Sequence, residues 1–230
     1  MTYRRSYLAA FAALFISSLL ATPLLAGGTS EARAPGPLSV VDLVVCHNFG
    51  CTAQSPLSLT RERFTGVMAV FEPAPSNPRE ERAQIRAAIA EFERLAGEDL
   101  PTYRDKGLNP NSTDAETPQV PAHETVVTLV PPRHYASIEG QMDCIDESTN
   151  TTTYLRLLEK FGLLTFHRVK ERTLRTPGLF RQHWAATIEE IDGGAVYAVD
   201  SWFLDNGEPP YIQHLAAWKS GTSLPVDGLE

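Results

Sequence analysis

The first thirty-four residues determine the compartment in which the rest of this chain folds. Arg4 and Arg5 precede a run from Tyr7 to Gly28 that contains no charged residue. A short basic segment followed by an apolar one is typical of a secretory signal. We therefore predict a signal peptide and leader over residues 1–34, and a bacterial protein that folds in the periplasm or is secreted.

The same segment leaves two outcomes open at the membrane. Ala32-Arg33-Ala34 offers a small-x-small cleavage site, and Ala26 before Gly27 offers a poorer one. Pro23 interrupts the apolar run, which favours cleavage. If the segment is not cut, its length of about 20 residues is sufficient for a membrane anchor. We expect contact with the membrane only in that second case.

The remaining chain is large enough for one domain and is acidic. Residues 39–230 can bury a sizeable core, and we predict a single α+β domain over this range. The net charge is −8, and removing residues 1–26 makes it −10, since Arg4 and Arg5 are lost with no acid. An acidic chain without a basic run argues against nucleic acid as a partner.

Three cysteines in an exported chain predict one disulfide and one free thiol. Cys46 and Cys51 are five positions apart with Gly50 between them, so we predict that they pair and that Cys144 stays free. Two alternatives remain for Cys144, an inert buried thiol or a disulfide with Cys46 or Cys51. A metal site at Cys46, His47 and Cys51 lacks a second ligand pair nearby, so we predict no metal.

The first half of the chain contains one well-marked helix. Asn77 is placed as its N-cap with Pro78 in the first position, and Gly97 is expected just past its end. Residues 98–123 are rich in proline and polar side chains and predict a long loop. Strands are predicted at Ser39–Val45, Phe64–Phe71 and Thr125–Val130.

Cys144 is predicted to lie at the start of a second helix. Leu155, Leu158 and Phe161 recur on one helical face, and Gly162 is placed to end the helix. Backbone N–H groups and the positive end of the helix dipole stabilise a thiolate at such a position. The neighbouring carboxylates act in the opposite direction; they are Asp143, Asp146 and Glu147.

Three strands are predicted to follow, and two of them form a hairpin. Leu163–Val169 is the first, and Gln182–Ile188 and Ala195–Phe203 flank a turn that contains Gly193 and Gly194. His183 and Asp200 stand at similar distances from that turn, so pairing brings them onto neighbouring strands. An aspartate there can accept a hydrogen bond from one imidazole nitrogen while the other faces a thiol.

These residues resemble the transglutaminase-like superfamily over about residues 140–205. Met142-Asp143-Cys144-Ile145-Asp146 is similar to the Gly-Asp-Cys-Glu-Asp run of bacterial transglutaminase-like cysteine proteinases, with Met142 in place of the glycine. His183-Trp184 and Val199-Asp200 follow in the order that the family shows. The resemblance implies a papain-like α+β fold in which the helix bearing the cysteine packs on an antiparallel sheet.

The same resemblance implies a catalytic Cys–His–Asp triad: Cys144 as nucleophile, His183 as general base and acid, and Asp200 as the residue that orients His183. Asp205 or Asn206 is an alternative to Asp200. The Cys144 backbone N–H is the default oxyanion donor, with Gln141 or Gln182 as alternatives. Trp184, Tyr197 and Trp202 are interpreted as core residues, although Trp202 and Phe203 are alternatively placed at the rim of a cleft.

The function expected from these residues is thiol-dependent acyl transfer. An exported hydrolase or acyltransferase would act on peptide or amide bonds of a peptide or protein substrate, and it would need no cofactor. The alternative from another class is a catalytically silent binding or assembly module that has kept the fold, because a fold alone does not decide activity.

Overall fold

The computed structural model describes residues 41–107, 139–176 and 182–230. The predicted signal segment, the Thr125–Val130 strand and most of the 98–123 loop lie outside these ranges. The described residues belong to one compact unit, Pro37–Glu230. Its elements are β1 (Val41–His47), β2 (Ala53–Leu59), α1 (Arg61–Ala69), α2 (Pro78–Asp99), α3 (Cys144–Lys160), β3 (His167–Arg175), β4 (His183–Glu190), β5 (Val196–Asp200), β6 (Tyr211–His214) and α4 (Leu215–Ser220), with a short 3₁₀ turn at Pro101–Arg104.

Two antiparallel sheets account for the described strands. β1 and β2 form a hairpin, and the second sheet has the order β3-β4-β5-β6, so each strand pairs with its neighbour in sequence. Helices pack against these sheets instead of alternating with the strands along the chain. The prediction of an α+β class with an antiparallel sheet is therefore confirmed.

The start of α2 agrees with the prediction, but its end does not. Asn77 Oδ1 accepts a hydrogen bond from the Glu80 N–H at 2.9 Å, as an N-cap does. The helix runs past Gly97 to Asp99. Gly97 leaves room for the 3₁₀ turn that follows the helix, because a Cβ at Gly97 would lie 3.1 Å from the Cβ of Tyr103. The helix ends before Pro101, whose ring disfavours the helical conformation in the preceding residue.

The strand predicted at Phe64–Phe71 is wrong, because this segment forms most of α1. Thr60 is the N-cap, and its hydroxyl accepts from the Arg63 N–H at 3.4 Å. Phe64 and Val67 are three residues apart and fully buried, so they lie on one helical face. Phe64, Met68 and Val70 all stand at even positions, so in so short a segment the pattern also fits the alternation of a strand.

The later strands were predicted with mixed accuracy. The hairpin of β4 and β5 is confirmed in its pairing. The strand predicted at Leu163–Val169 starts later and extends further, as His167–Arg175. Glu81 explains the shift, because its carboxylate accepts from the backbone N–H groups of Thr165 and Phe166 and so holds them away from a strand partner.

Helix α3 lies at the centre of the core. Its buried residues Tyr154, Leu155 and Leu158 pack against the sheets and α2, and the rings of Phe92 and Tyr154 stack with centroids 4.8 Å apart. This burial fixes the helix and therefore the position of Cys144 at its first turn. Within the described ranges, no helix is both long and apolar enough to cross a membrane.

Candidate active site

The start of α3 is held by a reciprocal pair of carboxylates. Asp143 is the N-cap, and its Oδ1 accepts from the N–H groups of Ile145 at 2.9 Å and Asp146 at 3.1 Å. Asp146 Oδ2 accepts in return from the Asp143 N–H at 3.1 Å, which completes a capping box. Cys144 is thus the first residue of the helix, as predicted. Within the described residues, no acceptor lies against its backbone N–H.

A disulfide-closed turn packs directly on this helix start. Cys46 and Cys51 are bonded and Cys144 is free, which confirms the predicted pairing. The Cys51 N–H donates to Asp146 Oδ1 at 2.6 Å. The Asn150 side chain, on the next turn of α3, accepts from the Cys46 N–H at 2.8 Å and donates to its carbonyl oxygen at 2.9 Å.

The backbone of this turn is left-handed at four consecutive residues. Their φ angles are 66° at Asn48, 61° at Phe49, 65° at Gly50 and 58° at Cys51. The left-handed conformation costs roughly 1–2 kcal/mol for each residue other than glycine, so the turn needs external support. The disulfide and the hydrogen bonds to α3 provide that support. The sulfurs of Cys46 and Cys51 also lie within 4.8 Å of an Asp146 oxygen. Because the two sulfurs are bonded to each other, neither is available as a thiolate ligand for a metal ion.

His183 and Asp200 meet across the β4–β5 pair. Ala186 pairs with Val199, so continuing the register places Asp200 opposite Ala185, two residues from His183 on the same face of the sheet. The His183 Nε2–H donates to Asp200 Oδ2 at 2.7 Å. The carboxylate therefore fixes the plane of the imidazole and leaves Nδ1 to face the opposite side.

The thiol of Cys144 is a neighbour of this imidazole. Interaction with the Cys144 side chain is one of the causes that raise the pKa of His183. Because Asp200 occupies Nε2, Nδ1 is the nitrogen left for the thiol. The Cys144 Sγ lies 3.9 Å from the carbonyl oxygen of Gln182, the residue before β4. The structure thus brings the three predicted site residues together.

Burial strengthens the interactions among these three residues. Cys144 is 2% exposed, His183 6% and Asp200 2%. Burial alone would lower the pKa of His183, but the hydrogen bonds with Asp200 and Cys144 and the charges of both partners raise it to about 9. His183 therefore holds a proton near neutral pH, beside a thiol that can supply one.

Aromatic rings enclose the imidazole. The ring centroids of Trp202, Phe203 and Trp218 lie 4.8, 5.4 and 5.6 Å from that of His183. Trp202 is partly exposed, which agrees with its alternative placement at the rim of the site, whereas Tyr197 is buried in the core as first interpreted. The rings restrict the imidazole to one orientation and keep water from its hydrogen bond with Asp200.

Carboxyl groups near the helix start are shifted towards their neutral forms. Burial and the charge of Asp143 raise the pKa of Asp146 to about 7. Burial raises the pKa of Glu147 well above its usual range, and the charges of Glu93 and Asp105 add to this. Burial also raises the pKa of Glu93 to about 8. The acidic residues around Cys144 therefore carry less negative charge at neutral pH than their number suggests.

The alternative site residues are engaged elsewhere. Asp205 accepts from Lys106 Nζ at 2.6 Å and from the Gly107 N–H at 2.9 Å, and Asn206 donates to the Glu93 carbonyl oxygen at 3.3 Å. Gln141 Nε2 donates to a carbonyl oxygen of the 3₁₀ turn. None of these contacts is with His183, so the geometry favours Asp200 as its partner.

Sequence reasoning did not identify Trp218 as part of this site. Its indole N–H donates to Asp200 Oδ2 at 2.7 Å, and the guanidinium of Arg175 lies 4.5 Å from its ring centroid. Trp218 belongs to the short helix α4, beyond the residues covered by the resemblance. Its sequence surroundings carry no motif, so only the folded chain could reveal the contact.

The comparisons with known proteins identified no relative. No family model matches the chain, no curated protein matches it, and no solved structure matches it. The geometry of Cys144, His183 and Asp200, with the residues around them, is therefore what bears on its function.

Proposed function

We propose that this protein is an exported thiol-dependent hydrolase or acyltransferase that acts on peptide or amide bonds. The observation that carries the proposal is the position of His183, whose imidazole donates to Asp200 and interacts with the neighbouring thiol of Cys144. Nucleophilic catalysis requires a nucleophile, a base in contact with it and a group that orients the base.

The chemistry follows from these contacts. Cys144 transfers its proton to His183, and the thiolate attacks the carbonyl carbon of the substrate. His183 then protonates the leaving amine, the C–N bond breaks and a thioester remains on Cys144. Water or a primary amine, deprotonated by His183, attacks the thioester and releases an acid or a new amide together with the thiol. Asp200 keeps the imidazole oriented throughout these steps.

The helix start supplies a place for the negative charge that develops on the substrate oxygen. The Cys144 N–H points along the axis of α3, where the positive end of the helix dipole lies. Among the described residues it has no other acceptor, so it is available to an oxyanion. This supports the Cys144 N–H over the side chain of Gln141, which is bonded to the 3₁₀ turn.

The arrangement of elements supports a transglutaminase-like fold. The cysteine begins a helix buried against an antiparallel sheet, and the histidine and aspartate lie on adjacent strands of that sheet. This is the order and placement that the resemblance implies for a papain-like cysteine hydrolase. The fold supports the proposed activity but does not establish it.

Export is proposed together with the activity. Disulfides form and persist outside the cytoplasm, and the Cys46–Cys51 bond holds the helix start that bears Cys144. The bond therefore supports a periplasmic or secreted location, in agreement with the basic and apolar N-terminal segment. Mass spectrometry of the mature N-terminus tests it, and a product that still begins at Met1 in the cytoplasm would contradict it.

The test of function uses the purified mature protein with a protein substrate and a primary amine. Incubation with casein and monodansylcadaverine distinguishes hydrolysis, seen as new peptides, from transamidation, seen as fluorescent casein. We expect one of the two reactions in the wild type and neither in Cys144→Ala. If wild type and Cys144→Ala are equally inactive with a wide range of peptides and proteins, the silent binding module is the better description.

A further inference from the structure

Asp200 receives two hydrogen bonds on a single oxygen. The His183 Nε2–H and the Trp218 Nε1–H both donate to Oδ2, each at 2.7 Å. The other oxygen, Oδ1, is buried and has no hydrogen-bond partner among the described residues. This distribution is uneven, since a buried carboxylate ordinarily uses both oxygens.

The uneven distribution makes Trp218 decisive for the orientation of the carboxylate. With His183 as its one donor, the Asp200 carboxylate could turn about its Cβ–Cγ bond and offer either oxygen. The second donor removes that freedom, because both N–H groups converge on Oδ2. The oxygen that meets His183 is then fixed relative to the sheet and independent of the imidazole.

Trp218 is held firmly enough to serve this purpose. Its side chain is fully buried and packs with Ala185 on β4 and Ala198 on β5. Arg175 covers the indole ring and donates through Nη1 to the Trp218 carbonyl oxygen at 2.6 Å. The two alanines leave space for the indole against the face of the strands that carry His183 and Asp200.

We propose that Trp218 is a positioning residue of the active site, which holds the Asp200 carboxylate in the orientation that His183 needs. The inference rests on the proposed function, because a positioning residue has a role only if His183 acts on Cys144. The indole ring of Trp218 also packs near His183, but its N–H reaches the site only through Asp200.

A buried indole N–H needs an acceptor for stability in any case, so the test must separate positioning from packing. Trp218→Phe removes the N–H and keeps a ring in the cavity. Trp184→Phe is the matched control, because Trp184 follows His183 on β4 and is covered by Arg172, with a centroid distance of 5.1 Å. The probe is p-nitrophenyl acetate, an activated ester that acetylates a reactive thiolate and releases p-nitrophenolate.

We expect Trp218→Phe to slow the acetylation of Cys144 about tenfold, and Trp184→Phe to change it less than twofold. In an Asp200→Ala background, Trp218→Phe should cause no further loss, since coupled residues are not additive. Loss of a fixed carboxylate should also move the titration midpoint of His183, followed by nitrogen-15 NMR of the imidazole, to lower pH.

Each outcome decides one question. If Trp218→Phe slows acetylation equally with and without Asp200, or leaves the His183 midpoint unchanged, Trp218 is a packing residue and the inference is overturned. If the wild type is not acetylated, the proposed function fails, and the His183 midpoint then decides only whether Trp218 orients the Asp200 carboxylate. Should Trp218→Phe not fold, benzothienylalanine at position 218, with sulfur in place of the N–H, provides the same comparison without a change in volume.

Discussion

Two buried histidines in this protein each donate a hydrogen bond to a buried carboxylate. The His183 Nε2–H donates to Asp200 at 2.7 Å, and the His167 Nδ1–H donates to Glu81 at 2.9 Å. Both histidines are on the sheet of β3 to β6, and their partners are Asp200 on β5 and Glu81 on α2. Neither burial nor the presence of a carboxylate distinguishes them.

The second ring nitrogen distinguishes the two pairs. In His167 it meets the guanidinium of Arg82, whose Nη1 lies 3.2 Å from Nε2. Arginine can only donate, so this nitrogen is an acceptor with its capacity used. In His183 the second nitrogen has no such partner among the described residues, and the neighbouring Cys144 thiol can give up a proton. The difference between the two pairs therefore lies in what surrounds the second nitrogen, and only the surroundings of His183 suit the proposed catalysis.

The carboxylates differ in the same way. Both oxygens of Glu81 are occupied by donors, which include the backbone N–H groups of Thr165, Phe166 and His167. Asp200 uses Oδ2 for both of its donors and leaves Oδ1 without a partner in the described chain. Glu81 therefore fixes the start of β3, whereas Asp200 orients one side chain.

The largest expected difference between the pairs is in the reactivity of Cys144. We expect His183→Ala to slow alkylation of Cys144 by iodoacetamide at pH 7 about a hundredfold, since a positioned base typically contributes about 10²–10⁴-fold. His167→Ala should stay within about threefold, because His167 does not contact the thiol. Quenched-flow mass spectrometry of the Cys144 peptide measures both rates, and circular dichroism confirms that each variant is folded. Equal alkylation rates in the two variants would show that His183 influences Cys144 no more than His167 does.

For stability we expect the larger effect in the His167–Glu81 pair instead of the His183–Asp200 pair. Glu81→Gln places an NH₂ group against backbone N–H donors whichever way the amide turns, so we expect it to lower the free energy of unfolding by about 3 kcal/mol. Asp200→Asn can place its NH₂ at the Oδ1 position, where no donor lies, so we expect it to lower the free energy of unfolding by less than Glu81→Gln does.

Urea unfolding of the two variants beside the wild type measures this asymmetry at one pH. Glutamine and asparagine differ from the native residues by the same atom, so each variant serves as the control for the other. A larger loss in Asp200→Asn than in Glu81→Gln would show that the two carboxylates have been assigned the wrong roles.

A further expected effect is a pH dependence of stability that belongs to His183. Its pKa is raised from 6.5 to about 9 in the folded protein. The stabilisation is therefore complete below pH 6.5 and is lost as pH rises through about 9, with a maximum of about 3 kcal/mol. The difference in unfolding free energy between wild type and His183→Ala should shrink over this interval. A constant difference from pH 6 to pH 9.5 would be inconsistent with the raised pKa.

The features that the sequence predicts correctly are those determined by interactions between residues close together in the chain. The helix start at Cys144, the N-cap at Asn77 and the β4–β5 hairpin depend on residues a few positions apart, and all three are present. Phe64–Phe71 shows the limit, because a short apolar segment fits both a strand and a helix. There the N-cap at Thr60 decides the outcome.

Long-range contacts could not be predicted from the sequence. Glu81 and His167 are 86 residues apart, and Trp218 lies 18 residues after Asp200. Neither contact has a local signal, since each exists only after the sheet has formed. His183 and Asp200 were predictable because a hairpin turn relates them directly, and Cys144 because a helix start marks it.

We propose that Cys144, His183 and Asp200 act as one nucleophilic unit. Formation of an acetyl–Cys144 thioester from p-nitrophenyl acetate at pH 7, followed by intact mass and by peptide mapping, tests this proposal. We expect rapid, stoichiometric acetylation of Cys144 in the wild type, none at that position in Cys144→Ala, and a rate about a hundredfold lower in His183→Ala. Acetylation of Cys144 at the rate of an ordinary thiol, unchanged in His183→Ala, would contradict it.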